Sequence, residues 1–151
     1  MPGITVVFKH GERTFTPADN AVITGGQVVE AVSGGRIQKA GAGSIVTLGV
    51  ALNDAIAPED LVTDSTTDGQ GRPVVSAAVL PTTVTVVNGG KDVPVTYAAN
   101  AAFGQRLKAA ANGTVTPVTS TTEDARAVIG YCSEPAGVTV STNAVGLAHI
   151  F

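Results

Sequence analysis

The chain has 151 residues, enough for one domain or two small ones. Nine Lys and Arg are scattered among twelve Asp and Glu, for a net charge of −3, which leaves no concentrated basic surface to displace the counterions of a nucleic acid. No run approaches the ~18 apolar residues of a membrane-spanning helix, and a lone Cys132 excludes an intramolecular disulfide.

The N-terminus, Met1-Pro2-Gly3-Ile4-Thr5-Val6-Val7, has no basic region followed by a long apolar one. No signal peptide is therefore expected, and synthesis in a reducing cytoplasm fits. Aromatic residues make up 4% and Trp is absent, so the core must be built from Val, Ala, Ile and Leu. Each buries little area, which makes a half of roughly 75 residues marginal alone. Stability is expected from packing two halves together, or from oligomerisation.

In chain order, residues 4–8 form a β-branched run and Lys9-His10-Gly11-Glu12 a polar turn. Arg13-Thr14-Phe15-Thr16 extends again, because branched Cβ atoms pack well on a pleated surface, until Pro17 removes a ladder donor. A strand around Val28 follows the turn Gly25-Gly26, and Ser33-Gly34-Gly35 ends it. Residues 44–52 are the next strand, with Gly49 marking a bulge or a close backbone approach. Residues 53–60 hold a short helical turn ending in Pro58-Glu59-Asp60. The polar stretch 64–71 reads as an exposed loop, and 74–80 as an apolar run stopped by Pro81.

The pattern then restarts. Ile4-Thr5-Val6-Val7 lines up with Val84-Thr85-Val86-Val87, an offset of 80 (84 − 4). Without a gap, Thr16, Ala18, Asn20 and Ala21 fall on Thr96, Ala98, Asn100 and Ala101. After a two-residue deletion, Gly26, Gln27, Ala31 and Gly35 fall on Gly104, Gln105, Ala109 and Gly113. Leu48-Gly49-Val50-Ala51 matches Ile129-Gly130-Tyr131-Cys132, and the apolar runs 74–80 and 145–151 close the two halves. The expected architecture is mainly β: two tandem small β-barrel or β-sandwich-like units, 1–80 and 81–151, related by an internal repeat, with at most short helices. Ala is abundant over 98–111, but Phe103-Gly104 and Asn112-Gly113 interrupt it, so this segment is read as a strand beside a turn.

The chemistry-bearing motifs are incomplete. Asp64-x-Thr66-x-Asp68-Gly69 starts like a calcium loop, yet Val75 stands where the bidentate acid belongs. Gly89-Gly90-Lys91-Asp92 has an acid where a phosphate loop needs Ser or Thr, and reads as a hairpin turn. Gly41-Ala42-Gly43-Ser44-Ile45-Val46 ends in Val where a dinucleotide loop needs Gly. Cys132, His10 and His149 are too few for a zinc site, and Cys132 lies in an apolar strand as a buried thiol. No catalytic, cofactor-binding or metal-binding residue is assigned, and no enzyme is expected.

Three runs carry a resemblance: Ile23-Thr24-Gly25-Gly26-Gln27-Val28-Val29, Gly34-Gly35-Arg36-Ile37, and Leu48-Gly49-Val50-Ala51-Leu52-Asn53-Asp54-Ala55. With Val128-Ile129-Gly130-Tyr131-Cys132-Ser133-Glu134-Pro135 as a second copy, the chain resembles the capsid decoration (cement) proteins of tailed bacteriophages. The tandem arrangement departs from single-barrel members of that family. The resemblance implies a structural virion protein on the capsid exterior that bridges major capsid subunits and assembles as a homo-oligomer, with a trimer favoured. It implies no direct contact with nucleic acid or membrane. The rival expectation is a non-catalytic carbohydrate- or surface-binding β-module, whose sugar platforms would come from Phe8, Phe15, Tyr97, Phe103, Tyr131 and Phe151.

Overall fold

The computed structural model describes residues 12–61, 66–67, 69–74 and 80–151. The described strands are β1 (Arg13–Phe15), β2 (Val22–Ile23), β3 (Val28–Ala31), β4 (Ile37–Lys39), β5 (Thr47–Ala51), β6 (Ala55–Ile56), β7 (Thr66–Thr67) and β8 (Pro73–Val74). They continue with β9 (Val84–Val87), β10 (Lys91–Thr96), β11 (Arg106–Ala109), β12 (Val115–Pro117), β13 (Val128–Cys132) and β14 (Val145–Ile150). The only helical elements among the described residues are 3₁₀ turns at Ser33–Gly35, Pro58–Asp60, Ala111–Gly113 and Ala125–Ala127.

Two five-stranded antiparallel sheets carry the fold. The N-terminal sheet runs β1-β9-β5-β3-β4 and the C-terminal sheet β10-β14-β13-β11-β12. Both are open sheets. The expected mainly-β fold with short helices is therefore present, as stacked sheets rather than closed barrels. Two-stranded ribbons, β2-β6 and β7-β8, accompany them.

The sheets match in register strand by strand. Phe15 faces Val84 as Val95 faces Gly146. Val28 faces Val50 as Arg106 faces Tyr131, and each of these ladders shifts register one residue later, at Val29/Glu30 and at Leu107/Lys108. Pro17 bridges Ile37 in parallel as Tyr97 bridges Val115. The repeated Gly-Gln pair does the same work twice. Gly26 (φ +85°) and Gly104 (φ +77°) take the left-handed conformation that favours glycine. Their N–H groups donate to Ala51 O and Cys132 O. The following side chains then fold back: Gln27 Oε1 accepts from Thr24 N at 2.9 Å, and Gln105 Oε1 from Ala102 N at 3.0 Å.

One strand falls elsewhere than expected. Val84–Val87, read as the start of a second unit beginning at 81, pairs in the N-terminal sheet between β1 and β5. Its register counterpart is β14, so 145–151 corresponds to β9 rather than to the run 74–80. Residues 4–7, its expected match, lie outside the described residues, as do 75–79. The chain crosses between sheets at Asn88–Gly90, where Gly89 and Gly90 have φ of +75° and +73°. This is a crossover and not the expected hairpin turn, because β9 and β10 lie in different sheets.

Successive side chains on a strand point to opposite faces, which separates two clusters. Val29, Ala51 and Val86 point one way and pack with Ile23, Ile37, Ala55 and Val84. Val28, Val50 and Val87 point the other way and join Val93, Val95, Tyr97, Leu107, Ala148 and Ile150. The inner face of the C-terminal sheet thus sits on the back of the N-terminal one. Each of these three valines is at most 2% exposed, and such burial is worth roughly 1.5–3 kcal/mol per side chain. Backbone bonds cross the same seam: Thr96 N to Gly26 O (3.1 Å), Gly43 N to Ala109 O (2.9 Å) and Gly113 N to Ala40 O (2.9 Å). Gly113 must be glycine on two counts, a φ of +70° and a Cβ position only 2.7 Å from Val28 O.

Candidate functional site

Among the described residues no second sheet packs on the back of the C-terminal sheet, and its register assembles one continuous row. Asp92 on β10 faces His149 on β14, His149 faces Tyr131 on β13, and Tyr131 faces Arg106 on β11. His149 Nδ1 lies 3.1 Å from Asp92 Oδ1. The Tyr131 and His149 rings stack, with centroids 4.9 Å apart and planes 23° from parallel. Phe151 tilts against Tyr131 at 6.1 Å. Arg106 is exposed and makes no ion pair among the described residues. Beside the row, Leu147 faces Pro94 across the strands, and Val145, Leu147 and Phe151 are 48%, 38% and 63% exposed.

Beneath this face the side chains are buried. Cys132 is fully buried, as its apolar run implied. Tyr97 donates its hydroxyl to Leu147 O at 2.9 Å, and burial, followed by the neighbouring Cys132, pushes its phenol far above the usual range. Cys132 and His149 do not meet. Cys132 faces Ala148 and His149 faces Tyr131, so the two side chains project from opposite faces of the sheet.

The remaining singled-out residues take structural positions. Asp92, from the Gly-Gly-Lys-Asp stretch, ends the exposed row. Gly43, from the Gly-Ala-Gly stretch, ties the two sheets together. Asp64, Asp68 and His10 lie outside the described residues, and among the described ones no group of three His, Cys, Asp or Glu is placed to hold a metal. A cleft of about 200 Å³, of mixed polar and apolar lining, opens between the sheets beside Val28, Thr47, Leu48, Val50, Ile129 and Phe151. Sequence reading treated Tyr131, His149 and Phe151 as separate strand residues and missed the row. The available signal was the alternation of 145–151, where residues 145, 147, 149 and 151 stay outside while 146, 148 and 150 are buried.

No protein-family model and no curated protein sequence matches the chain. Among solved structures, the fold is similar to that of the head fiber gp8.5 N base of bacteriophage phi29. The TM-score is 0.58 at 15% identity, and the likeness covers 93% of this chain and 95% of that one. It is a likeness of fold, and it takes in both sheets.

Proposed function

We propose that this protein is a structural component of a tailed-phage head. It binds the outer surface of the assembled capsid, bridges neighbouring major capsid subunits and stabilises the shell as a non-catalytic homo-oligomer. The observation that carries this reading is the whole-chain fold likeness to a phage head-fiber base. The motif resemblance to decoration proteins supports it. So does the broad outer face of the C-terminal sheet.

A shell-binding protein needs a rigid scaffold and complementary area, and small apolar groups give about 25 cal/mol per Å² before the costs of binding. Two sheets locked through a shared valine seam provide such a scaffold. The rings of Tyr131 and His149 stack on each other, so one face of each is closed to a sugar. The test is addition of purified protein to phage particles that lack it. Stoichiometric co-sedimentation and a higher melting temperature of the shell are expected. Failure to co-sediment with mature shells overturns the reading.

A further inference from the structure

We propose that the outer face of the C-terminal sheet is a self-docking surface. A second copy of this chain packs on it face to face, about a two-fold axis running parallel to the strands. This rests on the self-association part of the proposed function and not on capsid binding.

The first argument is internal. The register-equivalent face of the N-terminal sheet, Val28, Val50 and Val87, is covered by a sheet of the same fold. On the C-terminal sheet those three positions are Arg106, which is exposed and flanked by the 118–125 segment, and Tyr131 and His149, which are half-buried; among the described residues no second sheet packs on them. Their chemistry is that of an interface. Aromatic residues and Arg are enriched where proteins meet, because they bury large areas and still tolerate water in the free state. Leu147, Val145 and Phe151 supply apolar area beside them.

The second argument identifies the occupant. The row carries an acid at one end and a base at the other, Asp92 and Arg106, three strand spacings or about 14 Å apart. A two-fold axis along the strands, passing between β13 and β14, reverses the row. Asp92 then lies over Arg106 of the second copy, and His149 over Tyr131 of the second copy. The row is complementary to itself in that orientation alone, since an axis along the row sets acid on acid. Continuing the internal stack head to tail is closed off. It would require a free inner face on the incoming copy, and those faces are buried, with Val29 and Leu107 both at 0% exposure.

An isologous contact closes after two copies, which departs from the trimer that the family resemblance favours. With the axis between β13 and β14, four strands of about five residues overlap, roughly 19 Å by 17 Å or about 330 Å² per copy. The two copies together bury roughly 650 Å², below the size of standard specific interfaces, so the pairing is weak and transient, no tighter than about micromolar.

Sedimentation equilibrium of the full chain tests this. The protein should pair with a micromolar Kd. Arg106→Asp and Asp92→Lys should each weaken pairing by about tenfold or more, because each sets like charges across the axis. An equimolar mixture of the two variants should pair again, since every introduced charge then faces its opposite. Tyr131→Ser should also weaken pairing, and unchanged melting curves establish that the variants are folded. A chain that stays monomeric at about 200 µM overturns the proposal. So does a mixture that pairs no better than its components, or a trimer insensitive to all three substitutions. Co-sedimentation with capsids separates the two readings. An unpaired Arg106→Asp chain that still binds shells leaves capsid binding standing without any part played by the face. A pairing chain that binds no shell removes capsid binding and leaves the self-docking face intact.

Discussion

The row Val28–Val50–Val87 and the row Arg106–Tyr131–His149 occupy the same three register positions on two sheets of one topology. The first is sealed at no more than 2% exposure and the second faces outward. Their backbones are alike down to the position of the bulge. What separates them is side-chain chemistry, together with a local backbone difference at the bulge, where Gly49 takes a φ of +148° and Gly130 does not. A sheet buried on both faces is apolar at consecutive positions, as at Val28-Val29 and Val86-Val87. A sheet with one wet face alternates, as along β14.

The largest effect is expected from moving chemistry between the rows. Val28→Arg places a charge in the seam between the sheets with no partner, and should cost at least about 4 kcal/mol. The reverse change, Arg106→Val, should alter the stability of the monomer by no more than about 0.5 kcal/mol. Urea denaturation of both variants measures the difference. Similar costs would mean that the two faces are not distinguished by burial.

A second pair tests whether the backbones are as alike as their registers. Gly49 and Gly130 occupy the bulged ladders, and a Cβ on either would fall on a neighbouring carbonyl oxygen, that of Val87 or that of His149. Gly49→Ala and Gly130→Ala should each cost about 3 kcal/mol or more, because the obstacle is backbone rather than a movable side chain. A thermal melt showing one glycine freely replaceable would break the equivalence at that strand.

The repeated glutamine gives a smaller and unequal pair. Gln105→Ala removes a turn-closing bond, a loss of about 1 kcal/mol. Gln27→Ala removes the matching bond and also the donation from Nε2 to Asn112 O at 3.2 Å across the seam. It should therefore be the more damaging of the two in the same melt.

The smallest effect concerns a feature of the N-terminal half alone. Arg36 donates to both oxygens of Glu59, joining the 36–37 segment to the turn at Pro58–Asp60. That guanidinium holds the Glu59 carboxyl down at about 2. A depressed carboxylate stabilises the fold above its unfolded pKa, near 4.3, and the contribution is lost as pH falls toward 2. Both groups are exposed, so the effect should be slight. Denaturation of wild type and Glu59→Gln from pH 6 to pH 2 should give curves that converge in acid. A constant gap would show that the pair carries no linkage to folding. The register counterpart of Arg36 in the C-terminal half is Thr114, which has no charge to play this part.

Much of the local structure was legible. The turn at Gly25-Gly26 and its copy at Phe103-Gly104, the helical turn at Pro58–Asp60, and the close approach at Gly49 all follow from residues adjacent in sequence. Pro17 ends its strand as its missing donor requires. The placement of Val84–Val87 was not legible. A short β-branched run pairs equally well as the opening strand of one sheet or the closing strand of another, and residues 4–7 offer a similar pattern. The exposed row was hidden for the same reason: Asp92, Arg106, Tyr131 and His149 come from four strands.

By itself, the sequence determined the class of fold, the turns, and the doubling of the Gly-Gln unit. These depend on φ preferences, branched side chains and hydrogen bonds closed within three or four residues. Tertiary structure alone decided which sheet β9 joins, which valine face is sealed, and which four side chains stand side by side. Strand pairing brings together residues far apart in the chain. Alternation along a strand says only that two faces differ, and what covers each face is settled when the sheets pack.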